Sequence, residues 1–415
     1  MMKTFLISAA LLAVSSVYAA KKVEITVQNP TNTARFFEVV EVPMKTISMV
    51  MGDNDFIITD VDGREMPLQV TSKNTVLFQA SVGRKKTSTY YAVKGTPTLS
   101  ECKVMGRLFT ERQDEFGWEN DRVAYRVYGH GAAVGYDVFN KSTSTLMLDY
   151  WYASEQDQEM RSVRKKLRER GQTDLADQLY NAFSYHIDHG QGMDCYTVGP
   201  TLGAGANALV NPNGKLCMPK CYKSYEILED GLLRFSVRFT YPEVEYKGRN
   251  IYEVRTITID AGSSFCRVDV RYMLLKAGIA ATMASGVVVH QSNPTAFVLN
   301  KDAAYLGYED LGDASVYGER YRAELAKQMG KIYVGTVYPQ PVKDIIYEEG
   351  KTGIANGHIL ALSRVWPYED YTYYFGSAWS KNEEIGIRSL RDWEAALSRQ
   401  ANIVRHPLQV SVRVK

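Results

Sequence analysis

The chain has 415 residues, with 49 Lys and Arg against 47 Asp and Glu, so its formal net charge at pH 7 is only +2. Proteins that hold nucleic acid through its phosphates carry a clear basic excess, which excludes that class as the main role. At about 150 residues per domain the length suggests two domains, and five cysteines are too few for a disulfide scaffold in a chain able to build its own core.

Residues 1–19 read as a signal peptide. Lys3 supplies the positive start, Phe5 to Val14 is an apolar run, and Val17-Tyr18-Ala19 fits a small-residue cleavage site. The run is shorter than the roughly 20 residues a bilayer span needs, and no later segment is apolar enough to cross. The expectation is an exported protein, periplasmic or secreted, with no membrane span.

From 20 to 97 the pattern is strand and turn. VEITV alternates, DVDGRE and VGRKKT read as turns, and no helical periodicity is visible. A small antiparallel β domain is expected there, ended by the linker TPTLSE. The remainder, 98–415, reads as one larger β domain. RVAYRVYG, LRFSVRFTY, YEVRTITID and FCRVDVRYML each alternate, and in YEVRTITID the residues Tyr252, Val254, Thr256 and Thr258 oppose Arg255, Ile257 and Ile259. Long alternating strands suit stacked antiparallel sheets.

A helical insertion is expected over 155–182. Ser154 with Asp157 reads as a capping box. Met160, Val163 and Leu167 follow at helical spacing, Gly171 stops the run, and a second helix starts near Thr173 with Leu175 and Leu179. RSVRKKLRER reads as a solvated helix face. SLRDWEAALSRQANIV is an amphipathic helix and LQVSVRV a last strand. Cys217 and Cys221, in CMPKC, are candidates for a small local loop, buried or loosely paired cysteines being the plainer reading.

Polar and aromatic residues concentrate in DEFGWENDRVAYRVYG, YHIDHGQGMDCYTVGPTLGAGANALV, VVVHQ, YEDLGD and YYFGSAWS. His186 and His189 are two of only six histidines, and Gly190 and Gly192 beside them argue for a loop. With His290 they could supply the three ligands of a catalytic zinc site, but no strong metal motif is present. Proton transfer is the preferred reading of these histidines, with plain structural histidines as the third. In WENDR, Glu119, Asn120, Asp121 and Arg122 form either a turn before a strand or a ligand-binding corner. In the second case Arg122 forks to a carboxylate and Trp118 stacks on a sugar ring. GPTLGAGANAL lacks the Lys-Ser/Thr of a phosphate loop, so its glycines suit a tight loop beside a pocket. There is no GxSxG.

FGWENDRVAYRVYG, YHIDHGQGMDCYTVGPTLGAGANALV, YEVRTITIDAGS and YYFGSAW…SLRDWE together resemble a family catalogued only as domain of unknown function 4861, over most of the chain from Lys22 on. The resemblance implies exported proteins of Bacteroidetes, from polysaccharide-utilisation operons. It implies a mainly β fold, in which a large galactose-mutarotase-like super-sandwich follows the small N-terminal domain. It further implies uronic-acid glycans as the substrate class. It transfers no catalytic residues.

The first expectation is therefore β-elimination on a uronic-acid oligosaccharide, as a lyase or dehydratase. Arg122 and Asn120 would neutralise the substrate carboxylate, His186 or His189 would be the base, and Tyr196 or Tyr185 the acid, with His290 orienting or sharing the proton. Trp118, Glu119, Asp121 and Asp188 complete the expected contacts. The alternatives are a glycoside hydrolase using Glu119 with Asp121 or Asp188, a non-catalytic glycan binder, and a mutarotase-like epimerase. No cofactor is expected, a divalent metal on His186, His189 and His290 being the exception. Elimination requires WENDR and YHIDHG to share one pocket.

Overall fold

The computed structural model describes residues 22–52, 56–132, 135–218, 220–314 and 319–415; the expected signal peptide lies outside them. The chain is mainly β. In the first strand, Val23–Gln28, strict alternation buries Val23, Ile25 and Val27 completely. This strand pairs on one side with Thr87–Lys94 and on the other with the last strand of the chain, Gln409–Val414. A smaller sheet of Arg35–Pro43, Thr75–Val82 and Leu68–Val70 belongs to the same unit. Val42, Ile58, Val76 and Phe78 fill its core, and Val410 and Val412 from the chain's end pack against them.

Two features differ from the sequence reading. The last strand, assigned to 98–415, closes the N-terminal sheet instead. A helix also occupies Met44–Met51, burying Met44, Ile47 and Met51. Eight residues, MKTISMVM, are too few to show a helical period in the sequence.

The larger unit is a super-sandwich of antiparallel sheets. A nine-stranded sheet contains Arg234–Thr240, Arg249–Asp260, Phe265–Met273, Tyr371–Trp379, Lys331–Val337 and Tyr305–Leu311 as successive neighbours. A five-stranded sheet is ordered Leu216–Cys217, Asn207–Val210, Ala281–His290, Ala355–Val365, Asp344–Thr352. Another runs Val104–Phe109, Glu115–Asn120, Ala124–Val127, Asp137–Lys141, Gly192–Met193. One core joins them, with Phe235, Val268, Val287, Leu306, Ile359 and Phe375 from different strands. In YEVRTITID the inward face is the one carrying Arg255, Ile257 and Ile259.

The insertion holds three helices, Leu148–Glu155, Gln158–Glu169 and Thr173–Phe183. The cap of the second is Asp157, whose carboxylate accepts from the Glu159 and Met160 amides. Ser154, expected in that role, lies inside the preceding helix. The helix carrying RSVRKK buries none of its residues, as a solvated charged face should. The C-terminal helix Leu390–Arg405 buries Trp393, Leu397 and Ala401 against the nine-stranded sheet, with Ser389 as its cap. All five cysteines are free thiols, so Cys217 and Cys221 form no loop. No helix among the described residues is long and apolar enough to cross a membrane.

Candidate functional site

The segment YHIDHGQGMDCY splits between two polar networks. Tyr185, His186 and Asp194 pack around Arg126, a guanidinium buried in the strand Ala124–Val127. Arg126 donates to Asp137 and to Asp194 at 2.8 Å each, and Glu115 Oε2 lies 3.4 Å away. Each of these side chains is at most 3% exposed. Tyr128 donates to Asp137, and Tyr152 donates to Glu115 at 2.7 Å. Burial and the neighbouring Asp194 outweigh the pull of Arg126 and raise the Asp137 carboxyl to about 6. Tyr185 is buried here against Phe139 and Tyr152, and His186 Nδ1 bonds the Asp194 carbonyl oxygen at 2.9 Å.

The last residue, Tyr196, reaches a different group. Tyr196 meets His290 edge to face, with ring centroids 5.8 Å apart. His290 ends the strand Ala281–His290, at a bulge against Ala355. Its Nδ1 bonds Asp310 Oδ2 at 2.8 Å, and its backbone amide donates to Tyr308 Oη. Asp310 is fully engaged by His290, Tyr308 and the Leu311 amide. The two remaining atoms, Tyr196 Oη and His290 Nε2, are buried with no partner at hydrogen-bonding distance, the Thr197 carbonyl lying near enough to His290 only to favour its charged form. Burial opposes charge on His290, but Asp310 outweighs it, with help from the nearby Thr197 carbonyl, and the net shift is upward. Burial and Asp310 push the Tyr196 phenol well up, so it stays protonated. His358 lies close enough for burial and the His290 charge to drive it down to about 4, and its Nε2 accepts from the Leu202 amide.

Buried polar atoms are nearly always satisfied. Two orphans on rings in edge-to-face contact, one a proton-bearing phenol and one an imidazole oriented by a carboxylate, supply the groups of an acid/base pair. Asp310 fixes the imidazole so that the neutral ring presents its lone pair at Nε2. Thr197 Oγ1 donates to Asp313 at 2.9 Å and the Asp313 amide to the Cys195 carbonyl, tying the Tyr196 segment to the loop after Asp310.

Trp118, Glu119, Asn120 and Asp121 of WENDR are spent on structure. Trp118 is fully buried, stacked on Tyr125 and meeting Tyr136 edge-on, with no face left for a sugar. Glu119 is buried against Lys141 and accepts the Met147 and Leu148 amides, capping the helix Leu148–Glu155. Asn120 donates to the Asp260 and Ser263 carbonyls and accepts from the Arg122 and Val123 amides. Asp121 accepts the Gly262 amide. These contacts dock the turn on the hairpin after Asp260. Phe265, Gly376, Gly335 and Gly307 are aligned across the sheet, so three residues further along Asp310 is level with Gly262. WENDR and Asp310 thus share one end of the sheet but stand three strand spacings apart, roughly 14 Å. The half-exposed Arg122 is not beside the Tyr196–His290 pair, and the single pocket expected for WENDR and YHIDHG does not form.

The histidines part company as well. His189 is exposed, its Nε2 on the Ser184 carbonyl oxygen. Asp188 accepts from the Gly190 and Gly192 amides and pairs with Lys381, organising the loop. Among the described residues no group of three or more His, Cys, Asp or Glu side chains is placed to hold a metal, so His186, His189 and His290 do not form the triad left open as the exception. Of the expected catalytic set, Tyr196 and His290 come together and His186 and His189 stand apart. The residues missed are Asp310, Tyr308, Thr197 and Asp313 around that pair, and Arg126 with its three carboxylates. YEDLGD, dense in acids, was the signal for Tyr308, Asp310 and Asp313; nothing local marks Arg126, which reads as one more alternating strand residue.

Comparison with known proteins adds the following. The family model described as "Domain of unknown function (DUF4861)" matches residues 27–410. A protein described as "Uncharacterized protein P7", from Formosa agariphila, is 23% identical over 414 residues, covering 94% of this chain and 93% of its own. Two solved structures from Enterococcus faecalis, one titled as a protein in the glycosyl hydrolase family 38 and one as an alpha-mannosidase, each match at 9% identity with a TM-score of 0.47 over 94% of this chain. They are matched over 47% and 46% of their own lengths, so the chain spans about half of each.

Proposed function

Since the chain belongs to the family named Domain of unknown function (DUF4861), a name that assigns no activity, we propose a function from the site itself: an exported carbohydrate-active enzyme that performs β-elimination on uronic-acid-containing oligosaccharides, with Tyr196 and His290 as its proton-transfer pair. The observation that carries this reading is the pair of buried orphan atoms, Tyr196 Oη and His290 Nε2, beside the Asp310 carboxylate.

In the proposed step His290 Nε2 takes the proton from C5 of the uronate. The C–H electrons become the C4–C5 double bond, the C4–O bond breaks, and the departing oxygen takes its proton from Tyr196. The protonated His290 then returns a proton to the tyrosinate, and both groups are reset. Asp310 stabilises the charged imidazole between the two transfers. Both atoms are closed to solvent, so substrate entry requires an opening motion. Hydrolysis has less support, because its proposed carboxylates Glu119, Asp121 and Asp188 are held by backbone amides or lysines and do not form a facing pair.

The test is a panel of uronic-acid oligosaccharides followed by near-ultraviolet absorbance, which reports the conjugated product, and by reducing ends. Absorbance that disappears in Tyr196→Phe and His290→Gln supports elimination at this pair. New reducing ends without absorbance would show a hydrolase. Calorimetric binding with neither would show a glycan binder.

A further inference from the structure

We propose that the far end of the sandwich carries a second, non-catalytic site, which binds an acidic polysaccharide through Trp366, Tyr368 and Arg364. Trp379 is level with Asp310, whereas Tyr371 is at the other end of the same strand, eight residue steps or roughly 27 Å away. The turn before Tyr371 carries Trp366, 43% exposed, and Tyr368, 56% exposed. The loop that follows Met273 lies alongside, since Val270 pairs with Tyr371 and Ala281 with Val365. It adds the exposed Leu274 and Ile279.

Three observations separate this patch from scattered surface apolar residues. Tyr368 and Leu274 both sit in the left-handed region, with φ of 64° and 67°, a conformation a bulky residue adopts at a cost. Both are exposed, so burial does not repay that cost. The turn is tied to the neighbouring strand: Arg271 binds Asp370 through two hydrogen bonds of 2.9 and 2.7 Å, two residues from Tyr368. The free charge is net basic, Arg364 and Lys276 standing against the exposed Glu369. Arg364 alternates outward with Trp366 while Ser363 and Val365 are buried, so the two share a face two residues apart. Neither Arg364 nor Lys276 in the adjoining loop is ion-paired among the described residues.

Flat aromatic faces match the C–H face of a pyranose ring, and an unpaired guanidinium beside them matches a uronate carboxylate. The choice of an acidic polymer rests on the proposed function; the existence of the patch does not. A platform distant from the reacting pair would hold a long chain while its end is processed, which multiplies the effective concentration of substrate.

The experiment is native gel retardation of the full-length protein in polygalacturonate, alginate or ulvan, with a neutral glucan as control. Wild type is compared with Trp366→Ala/Tyr368→Ala and with Arg364→Ala, and turnover of short oligosaccharides is measured beside it. The expected result is retardation by an acidic polymer that weakens about tenfold in the aromatic variant, with short-substrate turnover unchanged. Equal retardation of wild type and variant overturns the site, as does no retardation by any polymer while short substrates are turned over. Retardation through this patch with no turnover would keep the site and sink the enzyme reading. Concentration-dependent dimers by sedimentation that vanish in the aromatic variant would show a second copy of the chain as the occupant and overturn the proposal.

Discussion

Lys141 and Glu119 form an ion pair with no solvent contact on either side: Nζ lies 2.5 Å from Oε2, and both side chains are 0% exposed. The other carboxylate oxygen holds two helix amides. Burial pushes the Glu119 carboxyl above the usual range while Lys141 pulls it back. Removing one charge from such a pair leaves the other uncompensated, at a cost of about 3–5 kcal/mol. Glu119→Gln is therefore expected to lower the unfolding free energy by that amount, read as a lower urea midpoint with an unchanged slope. An unchanged midpoint with lost activity would return Glu119 to the role of a catalytic carboxylate.

This pair shows why parts of the molecule were legible in the sequence and others were not. Alternation along Val23–Gln28 and Arg249–Asp260 is a local property, and both strands stand where it predicts. The partner of Glu119 is 22 residues away and that of Asn120 is 140 residues away. Nothing within WENDR distinguishes a carboxylate aimed at a ligand from one aimed at a lysine. The same holds for the closing strand Gln409–Val414, whose alternation was visible but whose partner at residue 23 was not. His290 was visible as a rare residue type, and Asp310 as part of an acidic cluster. Their pairing depends on how strands of two different sheets approach, which no spacing in the chain reports.

The glycines of GPTLGAGANAL are required by the backbone rather than by a phosphate. Gly205 has φ of +138°, and a Cβ there would lie 2.5 Å from the Cβ of Phe375. Gly205→Ala combines overpacking with a disfavoured conformation, so it should cost about 1–3 kcal/mol or more, read as a lower thermal midpoint. Calorimetry showing no change would mean that the loop moves away freely, contrary to its contact with Phe375.

His189 and Tyr196 belong to one short segment and make opposite predictions. His189 is exposed and bonded only to a loop carbonyl, so His189→Ala should leave turnover within about twofold of wild type. Tyr196→Phe removes one oxygen that has no partner; it should leave the melting temperature unchanged or raise it while turnover falls by about 10²–10⁴-fold. If His189→Ala abolishes activity and Tyr196→Phe does not, the proton-transfer pair has been misplaced.

Asp310 sets the pH dependence. Burial alone would lower the His290 pKa, but the Asp310 carboxylate reverses the sign and leaves it raised above the ordinary histidine value. As a base, His290 works only when neutral, so turnover should rise with pH through that raised value, an acid limb above about 6.5. Stability runs the other way. A histidine whose pKa rises on folding contributes most below about 6.5, and the contribution fades as pH climbs through the folded value. Asp310→Asn removes the opposing charge and leaves burial unanswered. The limb of kcat/KM should then move to lower pH while the plateau drops by about 10²-fold or more, because the imidazole loses the acceptor that orients it. A limb that stays in place after Asp310→Asn would mean that some other group is the base, since His290 is the histidine bonded to Asp310 through Nδ1.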